Sequence, residues 1–464
     1  MIFTTPAFLA FIIIVLPLYL VLSHRKQNLM LLAASYVFYG WWDWRFLFLL
    51  LFSTLLDYGV GLGLVSPRFS HARKALLVTS IATQLALLGV FKYYDFFAVS
   101  LAAGMSRLGV AIDPPLLQLV LPVGISFYTF HTLSYTIDIY RGKFSPTRDF
   151  VAFALFISFF PQLVAGPIAR ASHLLPQMLK PRKPTLDDWF EGSYLFYWGL
   201  FKKVVVADTL AKVVQSSFAH PGELNAFSAL VAVYAFAWQI YCDFSGYTDM
   251  ARGCSRWFGI DLQVNFNVPY LSVDPSDFWK RWHISLSSML RDYLYIPLGG
   301  NRHGRTRMYF ALLMTMLLGG LWHGANWTFV LWGLYHGVLL IAYRVVAPDL
   351  EERLSSPLHR LVHVVWFFHL VCLGWLLFRA SSMAEVMGML QAFTRAPVAN
   401  WGLAARLAVA VPVFIVELPI YLGGLQLGPL RSPAPLRAVA YVAIFWALIS
   451  LGNWGGADFI YFQF

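Results

Sequence analysis

Charged side chains are scarce in this chain of 464 residues. Only 12% of the residues are Asp, Glu, Lys or Arg, whereas 59% are hydrophobic and 17% are aromatic. A soluble domain usually has about 25% charged residues, so this chain has too little polar surface to cover a water-exposed fold. Lipid must cover much of the outside, and inside lipid the backbone polar groups must pair within helices or a closed barrel. The long apolar runs favour helices, so we predict an all-α polytopic membrane protein.

Cysteine is also sparse, and several well-known catalytic motifs are missing. The three cysteines, Cys242, Cys254 and Cys372, are odd in number and lie in or beside apolar segments, which indicates buried free thiols. No G-x-S-x-G, P-loop or H-E-x-x-H motif occurs, so the sequence does not support a soluble hydrolase, a nucleotide hydrolase or a zinc protease. We predict no metal site, with one alternative left open: zinc held by His283, His323 and a distant ligand.

The net charge of +11 has a membrane explanation. Lys and Arg collect in cytoplasmic loops, and no basic stripe with interleaved aromatics suggests a nucleic-acid partner. The basic residues at 24–26 and 67–74 fall on one side of the membrane, which predicts a cytoplasmic side there and a periplasmic or extracellular N-terminus. The first apolar run lacks the flanks of a removable signal and is predicted to be the first span.

Apolar runs of spanning length recur along the chain. From them we expect about ten to twelve true crossings, within one integral-membrane domain over residues 1–464. The run at 150–168 is interrupted by Pro161, Gly166 and Pro167, which predicts a re-entrant or unwound segment facing a cavity. The candidate runs are 7–22, 28–42, 45–64, 75–97, 116–139, 150–168, 190–217, 225–245, 308–325, 327–346, 361–379, 405–425 and 436–452.

A different pattern covers residues 274–300, where charged and aromatic residues are interspersed among apolar ones. Asp274 is suited to cap a helix, and Pro275 is suited to its first position. The spacing predicts an amphipathic interfacial helix rather than a span. One face of a continuous helix would carry Trp279, His283, Leu286 and Leu290, with Lys280, Ser287 and Arg291 lying away from it.

Two histidines stand in the apolar stretch GGLWHGANWTFVLWGLYHG, residues 319–337. An ionisable group in such a setting is costly, so it either faces a cavity or hydrogen-bonds between packed helices. Glycines flank His323 and Asn326 follows it, whereas His336 would face elsewhere on an unbroken helix and is interpreted as a packing residue. No Asp or Glu occurs between Asp292 and Asp349, so any acidic partner must come from another segment.

Two carboxylates lie in a second apolar region, YCDFSGYTDMARG at 241–253. Buried acids need partners, and Arg252 or Arg256 could pair with Asp243 and Asp249. We interpret this region as a buried polar network rather than a catalytic site.

Several blocks, in order along nearly the whole chain, resemble the membrane-bound O-acyltransferase (MBOAT) family. The chain looks most like the bacterial branch that includes the membrane subunit of alginate O-acetyltransferase. That resemblance implies a helical bundle around a central tunnel, with re-entrant and interfacial helices. The blocks are FYGWWDWRF, LPVGISFYTFHTLSYTIDIYRG, FFPQLVAGPI, CDFSGYTDMARG, DFWKRWHISLSSMLRDYLYIPLGGNR, GLWHGANWTFVLWGLYHG and FIYFQF.

The resemblance also implies functional residues. The family's catalytic histidine matches His323, and its second characteristic polar residue matches His283. A neutral histidine suits the general base that acyl transfer to a hydroxyl needs. Basic residues should bind the phosphates of the donor at the cytoplasmic mouth. The predicted donor-binding residues are Arg302, Arg305 and Arg307, and the predicted tunnel-lining residues are Asn326, Trp322 and Trp279.

In function, the resemblance implies an acetyltransferase of the bacterial inner membrane. Acetyl groups would come from cytoplasmic acetyl-CoA, with no tightly bound cofactor, and would end on an extracytoplasmic polysaccharide through a separate periplasmic acetyltransferase. D-alanyl transfer to teichoic acid from a carrier protein is a close alternative. A polysaccharide or lipid transporter and a non-catalytic scaffold are alternatives of other classes, and both would tolerate loss of His323.

Overall fold

The computed structural model describes residues 1–163, 166–348, 350, 354, 356–423, 430, 432–456 and 459–462. Within those ranges every regular element is a helix and no strand occurs. The predicted all-α class is therefore confirmed. The chain forms two compact units, one made of Met1–Gly192 with Cys254–Gln263 and the other of Ser193–Gly253 with Val264–Phe464. The expectation of one domain over residues 1–464 stays a prediction.

The first unit is built from nine helices, the start of a tenth and the end of the later helix Ala226–Arg256, as far as the structure describes it. Polar side chains cap several of them: Thr5 accepts a hydrogen bond from the backbone N–H of Phe8, and Asp149 accepts one from Ala152. The helices are α1 Pro6–Val21, α2 His24–Asp43, α3 Leu47–Val65, α4 Arg73–Leu88, α5 Tyr94–Arg107, α6 Ile125–Tyr140, α7 Phe150–Ser158, α8 Phe160–Leu163, α9 Ala171–Leu179 and α10 Leu186–Phe201.

The second unit contains the remaining helices of the described chain. Short π-helical turns widen two of its helical runs, at Lys202–Ala207 and Arg291–Tyr295. The helices are α11 Asp208–Ala219, α12 Ala226–Arg256, α13 Pro275–Arg281, α14 Ile284–Leu290, α15 Gly304–His323, α16 Trp327–Val346, α17 Pro357–Arg379, α18 Met383–Ala392, α19 Trp401–Ala405, α20 Val411–Gly423 and α21 Ala434–Leu451.

Seven helical stretches of the described chain are long and apolar enough to cross a membrane. Two shorter apolar stretches, Pro6–Val21 and Phe150–Leu163, accompany them. Their length and composition agree with a multi-pass membrane protein, although the number of crossings, expected to be ten to twelve, stays a prediction. The stretches are His24–Val65, Pro67–Arg107, Ala226–Arg256, Trp327–Val346, Pro357–Arg379, Trp401–Gly423 and Ala434–Leu451.

One predicted span begins later than expected. The apolar run at 116–139 was expected to be helical throughout, but α6 begins only at Ile125 and residues 110–122 have no regular structure. Pro114, Pro115 and Pro122 explain the difference, because proline disfavours helix in the residue before it and has no N–H to donate. The carboxylate of Asp95 instead accepts hydrogen bonds from the backbone of this extended segment.

The predicted interruption within 150–168 is confirmed. Helix α7 ends at Ser158, Phe159 leaves the helical region with φ −51° and ψ 110°, and α8 is a single turn. The side chain of Gln162 satisfies one freed carbonyl by donating from Nε2 to Phe156 O at 2.6 Å. Residues 164–165 of this run lie outside the described residues.

Candidate active site

The interfacial helix predicted over 274–300 is broken in two. Its start is as expected, because Asp274 accepts a hydrogen bond from the backbone N–H of Asp277 at 2.8 Å. The helix then stops at Arg281, and His283 adopts φ 44° and ψ 54°, the left-handed conformation that a non-glycine residue seldom takes. The expectation that Trp279, His283, Leu286 and Leu290 share one helical face is therefore wrong.

Asn265 supplies the physical reason for the break. Its backbone carbonyl accepts a hydrogen bond from Ile284 N at 2.9 Å. Its side-chain Oδ1 accepts from Ser285 N at 3.1 Å and from Ser285 Oγ at 2.8 Å. These bonds take the place of those that a continuous helix would make through residues 282–285. Backbone strain of this kind is held by surrounding contacts and often occurs at functional sites.

The same amide fixes the tautomer of His283. Oδ1 of Asn265 faces Nδ1 of His283 at 3.1 Å, and Oδ1 must be an acceptor because it already receives the N–H of Ser285. His283 is fully buried, and burial lowers its pKa to about 3, so the ring is neutral. Nδ1 therefore carries the proton, and Nε2 presents a lone pair that has no hydrogen-bond partner in the described part of the chain.

His323 lies at a corner between two packed helices. It is the last residue of α15, and Asn326 caps α16 by accepting a hydrogen bond from Thr328 N at 3.0 Å. Helices α15 and α16 can approach closely because Gly320 has no side chain. A Cβ at this position would lie 2.2 Å from Phe329 O. The sequence argument that related His323 to His336 through one unbroken helix is therefore wrong, since residues 324–326 separate α15 from α16.

Two aromatic rings contact both His283 and His323. The ring centroid of Trp322 lies 6.2 Å from that of His283 and 5.0 Å from that of His323. The ring of Tyr461 lies 6.4 Å from His283 and 5.7 Å from His323. The two histidines, 40 positions apart in sequence, therefore line the same aromatic cluster in the second unit.

A cavity of about 390 Å³ reaches His323. Its volume lies in the range of pockets that bind small organic ligands, roughly 300–1,000 Å³. His323 is only 4% exposed and forms the buried part of the lining, together with Trp332 and Gly319. Three exposed cations, Lys280, Arg291 and Arg344, line the same cavity. The cavity therefore joins a cationic, solvent-exposed end to a buried histidine.

A second, more polar cavity of about 260 Å³ shares part of this lining. The two cavities have Ser276, Lys280, Leu340 and Arg344 in common. Lys280 and Arg344 thus line both cavities, whereas Arg291 lines only the larger one, and there is room on either side of the two shared cations for a long, charged ligand.

The predicted donor-binding arginines lie outside this lining. Arg302, Arg305 and Arg307 are exposed, and none of them is among the residues that line the two cavities. Arg307 donates a hydrogen bond from Nε to Leu298 O at 2.6 Å. Their role in binding a donor stays a prediction.

The three residues predicted to line the tunnel occupy different places. Trp279 lines the 390 Å³ cavity. Trp322 is buried against both histidines. Asn326 is not in the cavity lining, because its amide caps α16 and donates from Nδ2 to Ser381 O at 2.8 Å.

His336 lies among aromatic rings, and its interpretation as a packing residue stays a prediction. It is buried, and its ring packs on Trp332 at 4.8 Å and on Trp279 at 5.3 Å. Gly374 leaves the space for this ring, since a Cβ there would lie 2.7 Å from Nε2 of His336.

The carboxylates of α12 form a buried network, as predicted, with lysines as their nearest charged partners. Asp243 pairs with Lys203 at 2.7 Å, and Asp249 pairs with Lys202 at 2.6 Å. Arg252 pairs with Asp249 at 3.6 Å, as predicted. Arg256 pairs with Asp188, Glu191 and Asp261 in the first unit, so its proposed pairing with Asp243 or Asp249 is wrong.

Sequence reasoning missed several residues of the site. Asn265 gave no signal, because an asparagine in a loop is ordinary until its partners are known. Tyr461 lies in the block FIYFQF, whose place more than 130 positions after His323 gives no sign that the two residues are neighbours. Lys280, Arg291 and Arg344 were visible as charges near apolar segments, yet only the fold brings them to one cavity.

The comparison with known families decides what this site belongs to. The signature of MBOAT, the membrane-bound O-acyltransferase family, matches residues 143–378 and so includes His283, His323 and the lining of the cavity as far as Arg344. The chain belongs to this family. Together with the helical architecture, this membership makes the chain a membrane acyltransferase of the MBOAT fold.

Individual MBOAT relatives include bacterial enzymes. The chain is 38% identical to a probable alginate O-acetylase AlgI of Pseudomonas putida, over the full length of both chains. It is 34% identical to a peptidoglycan O-acetyltransferase of Helicobacter pylori, over 84% of this chain and 79% of the relative. It is 28% identical to a teichoic acid D-alanyltransferase of Bacillus subtilis, over 55% of this chain and 68% of the relative.

Proposed function

We propose that this MBOAT enzyme takes acetyl groups from cytoplasmic acetyl-CoA for the O-acetylation of an extracytoplasmic polysaccharide. The observation that carries the proposal is the cavity that connects three exposed cations to His323. Acetyl-CoA has matching chemistry, because one end carries phosphates and the other end carries the reactive thioester.

The cationic end of the cavity would hold the phosphates of the donor. Lys280, Arg291 and Arg344 can form charge-assisted hydrogen bonds to phosphate oxygens. Most of the remaining lining is apolar, including Leu286, Leu290 and Met316. It suits the uncharged arm that leads from the phosphates to the thioester.

The histidine end would carry the chemistry. His323 would remove the proton of an acceptor hydroxyl while the hydroxyl oxygen attacks the thioester carbon. The new C–O bond forms, the C–S bond breaks, and the histidine returns the proton to the leaving thiolate. His283, with its Nε2 lone pair fixed by Asn265, would accept a hydrogen bond from a reacting group and help to orient it.

The acceptor is proposed from the relatives. Relatives named as acetylating enzymes cover more of the chain than the D-alanyltransferases do, and several alginate O-acetylases are 38–43% identical to it. An alginate-like exopolysaccharide is thus the proposed final acceptor. Delivery would use a separate periplasmic acetyltransferase, which implies a position in the bacterial inner membrane with the N-terminus on the periplasmic side.

Replacement of His323 tests the proposal in cells. The polysaccharide of a host deleted for this gene would be analysed for acetyl groups after complementation with wild type, His323→Ala or His323→Gln, at matched membrane levels. We expect both variants to abolish acetylation. A transporter or a scaffold would tolerate the substitution, so wild-type acetylation from a well-expressed variant would overturn the catalytic proposal.

D-alanyl transfer to teichoic acid is the second candidate, favoured by the similarity to the teichoic acid D-alanyltransferase. That reaction would use a carrier protein as donor in place of a free thioester. Purified protein would be offered acetyl-CoA or a D-alanyl carrier protein, and binding of only the carrier protein would favour this candidate.

A further inference from the structure

We propose that Asp243 and Lys203 are positioning residues that hold Tyr461 against the two histidines. The inference rests on the proposed acyl transfer at His323. It concerns the segment that carries Tyr461, residues 453–456 and 459–461, which is called the Tyr461 segment below.

The beginning of the Tyr461 segment is fixed to the π-helical turn Lys202–Ala207 and the residue after it. Asn453 N donates a hydrogen bond to Val204 O at 3.0 Å, and Asn453 Nδ2 donates to Asp208 O at 3.2 Å. Gly456 lies so close to Asp208 that an added Cβ would be 2.8 Å from its carboxylate. These contacts bring the segment to the buried ions.

The far part of the segment is fixed by one of those ions. Ile460 N donates to Oδ2 of Asp243 at 2.7 Å, and Oδ1 of Asp243 pairs with Lys203 Nζ at 2.7 Å. Lys203 also pairs with Asp208 at 2.6 Å. Phe459 adds an apolar contact, with its ring 4.4 Å from that of Tyr247.

The charge of this cluster calls for an explanation. Two carboxylates surround one ammonium group, and the three side chains are at most 5% exposed. Buried charges are costly unless each one is compensated by a partner or a hydrogen bond. The N–H of Ile460 compensates the second carboxylate, so Asp243 is the link between the ion pair and the backbone beside Tyr461.

Loss of the Asp243 anchor would affect the candidate active site through Tyr461. Tyr461 directly follows the anchored residue, and its ring contacts both His283 and His323. Loss of the anchor would release a wall of the aromatic cluster while leaving the cationic end of the cavity untouched. We therefore expect slower chemistry with unchanged donor binding.

The neighbouring ion pair offers a matched control. Lys202 and Asp249 lie on the same two helical runs and are also largely buried, with 2.6 Å between Nζ and Oδ2. The hydrogen bonds and ion pairs seen for Lys202 and Asp249 go to each other, to Ser245 and to Arg252, all outside the Tyr461 segment. Substitution of Asp249 thus breaks a comparable ion pair without freeing Tyr461.

A thiol reporter at position 460 tests the anchor directly. Ile460 is 2% exposed, and Ile460→Cys keeps the backbone donor. Maleimide labelling of the folded, detergent-solubilised protein would be measured for this variant alone, with Asp243→Asn and with Asp249→Asn. Protein without the reporter gives the background of the three buried native cysteines.

We expect Asp243→Asn to speed labelling about tenfold or more and Asp249→Asn to change it less than about twofold. Without the reporter, Asp243→Asn should lower kcat for acetyl transfer about tenfold and leave KM for acetyl-CoA within about twofold. Equal labelling of the Asp243→Asn and Asp249→Asn proteins would overturn the proposal. The labelling needs no turnover, so its result is separable from failure of the proposed acetyl transfer.

A second variant tests the same anchor if the Asp243→Asn protein does not accumulate in the membrane. Ile460→Pro removes the N–H that Asp243 accepts and leaves both ion pairs of Lys203 in place. The expected result is again a fall in kcat with an unchanged KM. Wild-type kcat in Ile460→Pro would overturn the anchoring role.

Discussion

At the scale of single residues, the site depends on one asparagine that holds a strained histidine. Oδ1 of Asn265 receives three donors, from His283 Nδ1, Ser285 N and Ser285 Oγ. It therefore sets the backbone of the break between α13 and α14 and, at the same time, the tautomer of His283. The same side chain therefore determines both the backbone conformation at His283 and the direction in which the Nε2 lone pair of His283 points.

Removal of that amide should therefore damage activity more than stability. We expect Asn265→Ala to lower acetyl transfer about 100-fold, since small displacements of a reacting group cost that much. The buried donors left unpaired should cost about 1–3 kcal/mol in the free energy of unfolding. Asn267→Ala is the control, because Asn267 uses only its backbone to bond Arg281. Similar losses in both variants would contradict the role assigned to Asn265.

The neutral state of His283 predicts how stability depends on pH. Burial lowers its folded pKa to about 3, whereas an unfolded histidine has a pKa near 6.5. The unfolded state then binds more protons between these values, so stability should fall as the pH drops below about 6.5. Thermal unfolding in detergent at pH 7 and pH 5 measures this, and His283→Asn should show a smaller loss than wild type. An identical loss in both proteins would mean that His283 titrates normally.

At the scale of elements, apolar periodicity predicted the long helices well. The run at 327–346 coincides with α16, and the run at 436–452 is close to α21 Ala434–Leu451. Failures occur where hydrogen bonds from distant residues compete with the local pattern, as Asn265 does at His283. Proline and glycine correctly predicted an interruption of the helix within 150–168, but the sequence alone could not place the break at Phe159.

Glycines at the crossing of α15 and α16 determine where His323 lies. A Cβ at Gly320 would meet Phe329 O at 2.2 Å, and one at Gly333 would meet Met316 O at 2.3 Å. We expect Gly320→Ala to lower the free energy of unfolding by about 1–3 kcal/mol, because the helices must move apart. Gly89→Ala is the control, since nothing lies within 4 Å of its Cβ. A thermal shift in detergent compares them, and an unchanged Gly320→Ala protein would contradict this packing argument.

At the scale of the whole molecule, function depends on a path from exposed cations to a buried histidine. The residues of this path are spread over α13 to α16, so no short motif reports them together. The resemblance predicts the two histidines, and the density of basic residues predicts a donor site in the loop of Arg302, Arg305 and Arg307. The fold instead puts Lys280, Arg291 and Arg344 on the cavity, which only packing could reveal.

A pair of arginine variants separates these two possibilities. We expect Arg344→Ala to raise KM for acetyl-CoA about tenfold, which corresponds to the loss of one charge-assisted contact. Arg305→Ala should change KM less than about twofold, because Arg305 is outside the cavity lining. Steady-state kinetics with the reconstituted protein measures both, and the reverse order would return the donor site to the loop of Arg302, Arg305 and Arg307.

Cleavage of the donor thioester tests the central claim most directly. Purified protein in vesicles would receive acetyl-CoA with an acceptor, and the released CoA thiol would be counted for wild type and His323→Gln. Our account predicts thiol release by wild type and a loss of at least about 1,000-fold in His323→Gln, with folding and acetyl-CoA binding retained. Thiol release at the wild-type rate from the variant would contradict it.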